Sequence, residues 1–167
     1  LKFNLVKRVL KRNVIFLDFD GVLATEEYTA RIRSSLKYKD YFGTLFNPEC
    51  VKQLSTIISE TGAKIVITLD WRNYLNICLL RLMWIYRKMP GHIIGRTARN
   101  GCSRGEQIDK WLKKHSEVKA YAIIDDMNEL QFHKSQTDHL VVTPHYTGLD
   151  ESSVQKAIAI LKSQHNG

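Results

Sequence analysis

The sequence predicts an α/β protein built on an open parallel sheet with helices on both faces. Two observations carry that expectation. Short runs rich in β-branched residues recur along the 167-residue chain at 14–17, 64–68, 92–94, 120–124 and 140–143, and helical patterns separate them. Alternation of this kind places crossover helices between parallel strands and covers both faces of the sheet. A third observation locates the chemistry. Two of the apolar runs end in paired acids, Asp18 and Asp20 after "VIFL" and Asp125 and Asp126 after "YAII". In open sheets ligands gather beyond the carboxyl ends of the strands, near the point where strand order reverses.

Each element has its own justification. In "VIFLDFDGVL" an Asp-Gly turn accounts for Asp20 and Gly21 but not for Asp18. Strand alternation would put Asp18 and Asp20 on one side, where crowded carboxylates are costly without a cation. Mg²⁺, which prefers hard oxygen ligands, would relieve that repulsion. The following segment, 24–46, interleaves Arg31, Arg33, Lys37 and Lys39 with Tyr28, Tyr38, Tyr41 and Phe42. That mixture suits a phosphate backbone beside stackable bases; the alternative is aromatics packing a flap while the cations are solvated. The segment is long enough for a flap or a small helix, but not for a lid enclosing a metabolite.

Asn47-Pro48 reads as an N-cap and first helical residue, Val51, Leu54, Ile57 and Ile58 share a face, and Gly62 ends the helix. The second strand ends in Thr68. The apolar stretch 74–85 contains Arg81 and is shorter than the roughly 20 residues of a membrane span, so it reads as a buried helix. Ser103 and Glu106 form a capping-box pattern before Ile108, Trp111 and Leu112. Val154, Ala157, Ile158 and Leu161 repeat the helical spacing near the C-terminus.

The length fits one domain, 1–167, with a core over about 13–162 and a small flap over about 24–46. Lysine and arginine outnumber the acids by 25 to 17, and the net charge of +8 favours anionic partners. Cys50, Cys78 and Cys102 are odd in number and lack metal-ligand spacing, which argues for a cytoplasmic protein with no disulfide partner and no zinc site. No membrane association is expected. The first residues lack the long apolar core of a secretion signal, and the missing initiator Met leaves room for an upstream start. A Walker-type glycine loop is absent, and the oligomeric state is left open.

Taken in order, "FLDFDGVL", "KIVIT" ending at Thr68, a basic residue near Arg104 and "AIIDD" resemble the haloacid dehalogenase-like (HAD) superfamily of Mg²⁺-dependent phosphotransferases. More closely, "FNPECVKQL", "KIVITLDWR", "RGEQIDKWL", "YAIIDD" and "TGLD" look like the HAD domain of Swiss Army Knife RNA repair proteins, over about 14–161. The resemblance implies a Rossmann-like fold and a Mg²⁺ cofactor, and the single helix between the second and third strands leaves no room for a large cap domain there. The resemblance also implies roles: Asp18 as nucleophile, Asp20 as general acid and base with its backbone carbonyl on the metal, and Thr68 and Arg104 on the phosphoryl group. Among the metal-binding candidates Asp18, Asp20, Asp125 and Asp126, it favours Asp126 as the direct ligand and Asp125 as a supporting carboxylate. The sequence leaves that division open. Arg96, Arg99 and Lys110 compete with Arg104 for the basic role.

One departure stands out. The nearest relatives usually read Ser-Ser-x-Trp-Arg where this chain has Thr68-Leu69-Asp70-Trp71-Arg72. Arg72 then either meets substrate or pairs with an acid such as Asp70. The implied function is removal of terminal phosphate from RNA or DNA ends, with 3′-phosphates as one candidate. The alternatives are a phosphatase for nucleotides or other small esters and a non-catalytic nucleic-acid-binding or regulatory module.

Overall fold

The centre of the sheet is β1 (Arg12–Leu17), whose Val14, Ile15, Phe16 and Leu17 are all fully buried. A strand covered on both faces reads as a continuous apolar run. In the computed structural model, which describes residues 12–35, 37–68, 75–98 and 103–164, β1 pairs in parallel with β4 (Lys64–Ile67) and β6 (Val118–Asp125). Beyond them, β5 (Ile93–Arg96) and β7 (Leu140–Val142) complete the parallel order β5-β4-β1-β6-β7. The chain runs outward from β1 to β5, then returns to the other side of β1. Strand order therefore reverses between β1 and β6, as in other open sheets that gather ligands there. The expected α/β parallel fold is present. The third strand lies at Ile93–Arg96 rather than 92–94, because its ladder continues through Gly95 and Arg96, which carry no β-branched pattern.

Alternate residues of β1 feed two cores. Ile15 and Leu17 face α2 (Pro48–Thr61), α3 (Ile77–Tyr86) and α5 (Glu151–Ser163) through Leu54, Ile57, Leu80, Met83, Val154 and Leu161. Val14 and Phe16 face α4 (Arg104–Leu112) through Ile108 and Trp111. Phe16 meets the Trp111 ring edge-to-face at 5.4 Å, a pairing worth about 1 kcal/mol beyond its area. The helix ends follow their chemistry: Asn47 caps α2 and Gly62 closes it in the left-handed region, while Ser103 and Glu106 form the capping box of α4.

The stretch expected to be a buried helix is only half buried. Helix α3 sends Leu80, Met83 and Trp84 inward but leaves Leu82, Ile85 and Tyr86 exposed. Its arginine is explained by the sheet edge. Arg81 donates through Nε to the Ile93 carbonyl at 3.0 Å and through Nη2 to that of Ile94 at 3.3 Å, covering acceptors of the outer strand β5. No helix among the described residues is long and apolar enough to cross a membrane.

The flap segment forms α1 (Glu26–Ile32), a short 3₁₀ turn at Arg33–Ser35, and a hairpin of β2 (Lys39–Asp40) and β3 (Gly43–Thr44). Between β4 and β5 the described residues hold α3 alone, so neither position carries a large cap. Arg87, at the end of α3, fastens the hairpin. It bonds the two Asp40 oxygens at 2.9 and 2.7 Å and the Gly43 carbonyl at 3.2 Å, and lies over the Phe46 ring. Burial pushes the Asp40 carboxyl upward, but the bonds from Arg87 and the Phe42 N–H outweigh it and hold the group below its ordinary value. A depressed carboxyl stabilises the fold above the unfolded aspartate pKa of about 3.9 and stops doing so as pH falls through its lower folded value. Asp40→Asn is therefore expected to cost roughly 2–3 kcal/mol at pH 7. Denaturant unfolding of both proteins should show that gap closing as the pH drops below about 4.

Candidate active site

The acids that end β1 and β6 flank the reversal of strand order. Asp18 stays aligned beside β6, since its N–H bonds the Ile124 carbonyl at 3.0 Å, and its Oδ1 accepts the Phe19 N–H at 2.9 Å. Asp125 is the last residue of β6 and Asp126 follows it. Ligand atoms of Asp18, Asp125 and Asp126 lie within 4.8 Å of one another. Asp20 is not part of this cluster. The strand ends at Leu17, and the Phe19 carbonyl accepts the N–H groups of Val22, Leu23 and Ala24, so Asp20 sits in a tight turn with its side chain exposed. Strand alternation stops before it applies, and the carboxylate that crowds Asp18 most is Asp125.

One cation is built into the cluster. Arg104 is the first residue of α4, where the Ser103 and Glu106 capping box sets the start of the helix. Its neighbour Gly105 presses so closely on Phe132 and His133 that a Cβ would stand 2.7 Å from the His133 nitrogen. Arg104 is 4% exposed, with Nη2 3.3 Å from Asp18 Oδ2 and Nε 3.4 Å from Asp125 Oδ2. Its Nη1 donates to the Thr68 carbonyl. Thr68, fully buried, is joined to β1 through its N–H and the Leu17 carbonyl at 3.0 Å. One guanidinium thus ties together the ends of β1, β4 and β6.

It does not neutralise them. Burial, and then Asp125, push the Asp18 carboxyl up to about 8 against the pull of Arg104 and the Phe19 N–H. Burial also raises Asp125, whose Oδ1 accepts the Met127 N–H at 3.0 Å while its Oδ2 has no hydrogen bond.

Asp126 is held differently. Its Oδ2 bonds His145 Nδ1, and His145 Nε2 lies 3.3 Å from Glu26 Oε1 in the first turn of α1. The bond to Asp126, with a smaller contribution from Glu26, outweighs burial and raises the imidazole above its ordinary value. Both groups lean over Gly21, whose φ is 67° and whose Cβ, if present, would be 2.3 Å from Asp126 Oδ2. Thr143, just past β7, donates to the Gly21 carbonyl at 2.9 Å. Beside this corner a cleft of about 510 Å³ is lined by Asp20, Thr25, Glu26, Thr29, Arg33 and His145, among others.

A family model described as the HAD domain in Swiss Army Knife RNA repair proteins matches residues 14–154. The chain belongs to this family. Neither a curated protein nor a solved structure matches it.

For a HAD domain the donor set is chemically apt. When fully ionised, the three carboxylates and one guanidinium carry a charge of −2, and their hard oxygens include a buried one without a hydrogen bond. A divalent cation of the Mg²⁺ type fits that charge and ligand chemistry. Asp18, Thr68, Arg104, Asp125 and Asp126 come together, whereas of the four flap cations Arg33 lines the cleft and Arg31, Lys37 and Lys39 are exposed, with Arg31 and Lys39 lying over the Tyr28 and Tyr38 rings. Of the competitors for the basic role, Arg96 and Lys110 are exposed. Arg72, Leu69, Asp70 and Arg99 lie outside the described residues. His145 and Glu26 went unrecognised in the sequence, although the strand-end rule applied to β7 would have pointed to "TPH".

Gly21 and Gly62 separate backbone strain from crowding. Both have φ near 60–70°, but a Cβ at Gly62 meets nothing within 4 Å. Gly62→Ala is expected to cost about 1 kcal/mol for the left-handed backbone alone. Gly21→Ala should cost at least about 1 kcal/mol more, because Asp126 and His145 must move. Equilibrium unfolding of the two variants measures the difference.

Proposed function

We propose that this HAD domain is a Mg²⁺-dependent phosphatase that removes terminal phosphate from RNA or DNA ends through an aspartyl-phosphate. The observation that carries the reading is the convergence of Asp18, Asp125 and Asp126 around buried Arg104 at the reversal of strand order. An Asp18 oxygen would attack phosphorus as the bond to the leaving oxygen breaks, and Asp20 would give that oxygen its proton. Water would then attack the aspartyl-phosphate, Asp20 taking its proton, to release inorganic phosphate and restore Asp18. The exposure of Asp20 suits an acid that must meet a leaving group in the cleft. Arg104 would offset phosphoryl charge from a fixed position, and Thr68 would add a hydroxyl at the same strand end. Mg²⁺, held by the Asp18, Asp125 and Asp126 carboxylates and the Asp20 carbonyl, would supply further neutralisation of the phosphoryl oxygens.

The RNA repair family, the basic flap and the net charge of +8 favour a polynucleotide. The free thiols of Cys50 and Cys78 suit a cytoplasmic setting, and the 24–46 flap would act as the substrate-facing edge of a single domain. Phosphate release from 3′- and 5′-phosphorylated RNA and DNA oligomers, free nucleotides and a phosphopeptide tests this reading. Mg²⁺-dependent turnover should fall at least about a thousandfold in Asp18→Asn; wild-type turnover in that variant would refute the covalent route.

The flap cations give a second test. Neutralising Arg31, Arg33, Lys37 and Lys39 together should raise KM for an oligomer and leave a small phosphate ester almost unaffected. The salt dependence of oligomer binding should flatten by roughly one unit of log–log slope for each backbone phosphate that the variant no longer neutralises. Equal kinetics on both substrates before and after the change would favour a small ester as the natural substrate.

A further inference from the structure

We propose that His145 is a positioning residue that braces Asp126 against the flap helix α1 and so sets the orientation in which Asp126 meets the cation. The inference rests on the cation reading above and adds to it a strut from the loop after β7. Asp126 leaves β6 on a short connection and is only partly buried, and the guanidinium of Arg104 is directed at Asp18 and Asp125 instead. Its Oδ2 is held by His145 Nδ1, which restrains rotation of the carboxylate about its Cβ–Cγ bond.

The imidazole and the loop that carries it are held at three points. Glu26 Oε1 lies 3.3 Å from Nε2, fixing the ring from the flap side. The Glu27 N–H donates to the Tyr146 carbonyl at 3.1 Å, joining α1 to the loop that carries His145. That loop is anchored at its far end by the Leu149 N–H on the Val22 carbonyl at 3.0 Å, and Gly148 packs where a Cβ would stand 2.5 Å from the same oxygen. Beneath the pair, Gly21 provides the space that any side chain would fill. The loop after β1, the loop after β7 and the flap helix thus meet at one imidazole. Groups that orient metal ligands commonly change metal affinity by 10- to 100-fold when removed.

The amide of Asn carries its nitrogen where Nδ1 lies, whereas that of Gln carries it near Nε2. His145→Asn therefore keeps the donor for Asp126, and His145→Gln keeps only the one for Glu26. Mg²⁺ affinity of the full chain, read from the Mg²⁺-induced rise in Tm and from Mn²⁺ binding by electron paramagnetic resonance, should weaken about tenfold in His145→Ala and His145→Gln. His145→Asn should remain within about threefold of wild type. Tm without metal reports any loss of fold separately. Wild-type affinity in His145→Ala, or equal losses in the Asn and Ala variants, would overturn the positioning role while leaving the cation reading intact. A wild-type protein that binds neither ion would overturn both.

Discussion

The guanidinium of Arg104 is the point on which the rest of the structure turns. It is buried among two carboxylates and a backbone carbonyl contributed by β1, β4 and β6, three adjacent strands of the sheet. Desolvating these charges is costly, and one cation does not balance the acids around it. The apolar runs that bury β1 and β6 fix the strand ends in register, and register alone forces Asp18 and Asp125 together. Stability is thereby given up to concentrate negative charge at one edge of the sheet, an arrangement that makes chemical sense beside a divalent cation.

Around that edge the protein uses arginine as a fastener in two further places. Arg87 clamps the flap hairpin through Asp40 and the Gly43 carbonyl, and Arg81 covers the outward carbonyls of β5. Both project from α3, a helix whose composition alone suggests complete burial. The geometry of the guanidinium explains the choice, since one planar group offers several donors in fixed directions while its stem packs on apolar surface. The basic charge of the chain is therefore not all available to a polyanion. Arg81 and Arg87 are committed to the fold, and the exposed cations of the flap carry the electrostatic case for the proposed nucleic-acid partner.

The flap shapes what the site can accept. It adds a helix and a hairpin rather than a lid, and the cleft it borders opens beside Asp20, Arg33 and His145. The cleft wall carries a carboxylate, a guanidinium and an imidazole, which is compatible with the proposed phosphorylated nucleic-acid end. The loop after β7 completes this wall, so the fifth strand contributes to the site although it lies at the sheet's edge.

The parallel α/β fold, the caps of α2 and α4 and the acids at two strand ends were legible in the sequence, because apolar periodicity, capping chemistry and turn residues are local properties. Arg104 was one of several basic candidates, and its burial between Asp18 and Asp125 is a tertiary property. The partner that crowds Asp18 was not legible: alternation along one strand pointed to Asp20, while the pairing of β1 with β6 brought in Asp125, more than a hundred residues away. The half-exposed face of α3 and the function of Arg81 also depended on which strand became the edge. A lone histidine after a proline carries no local signal, and only the meeting of three segments over Gly21 gives His145 a carboxylate on each side. Local chemistry determined the elements and their ends; long-range pairing decided which ends would share a site.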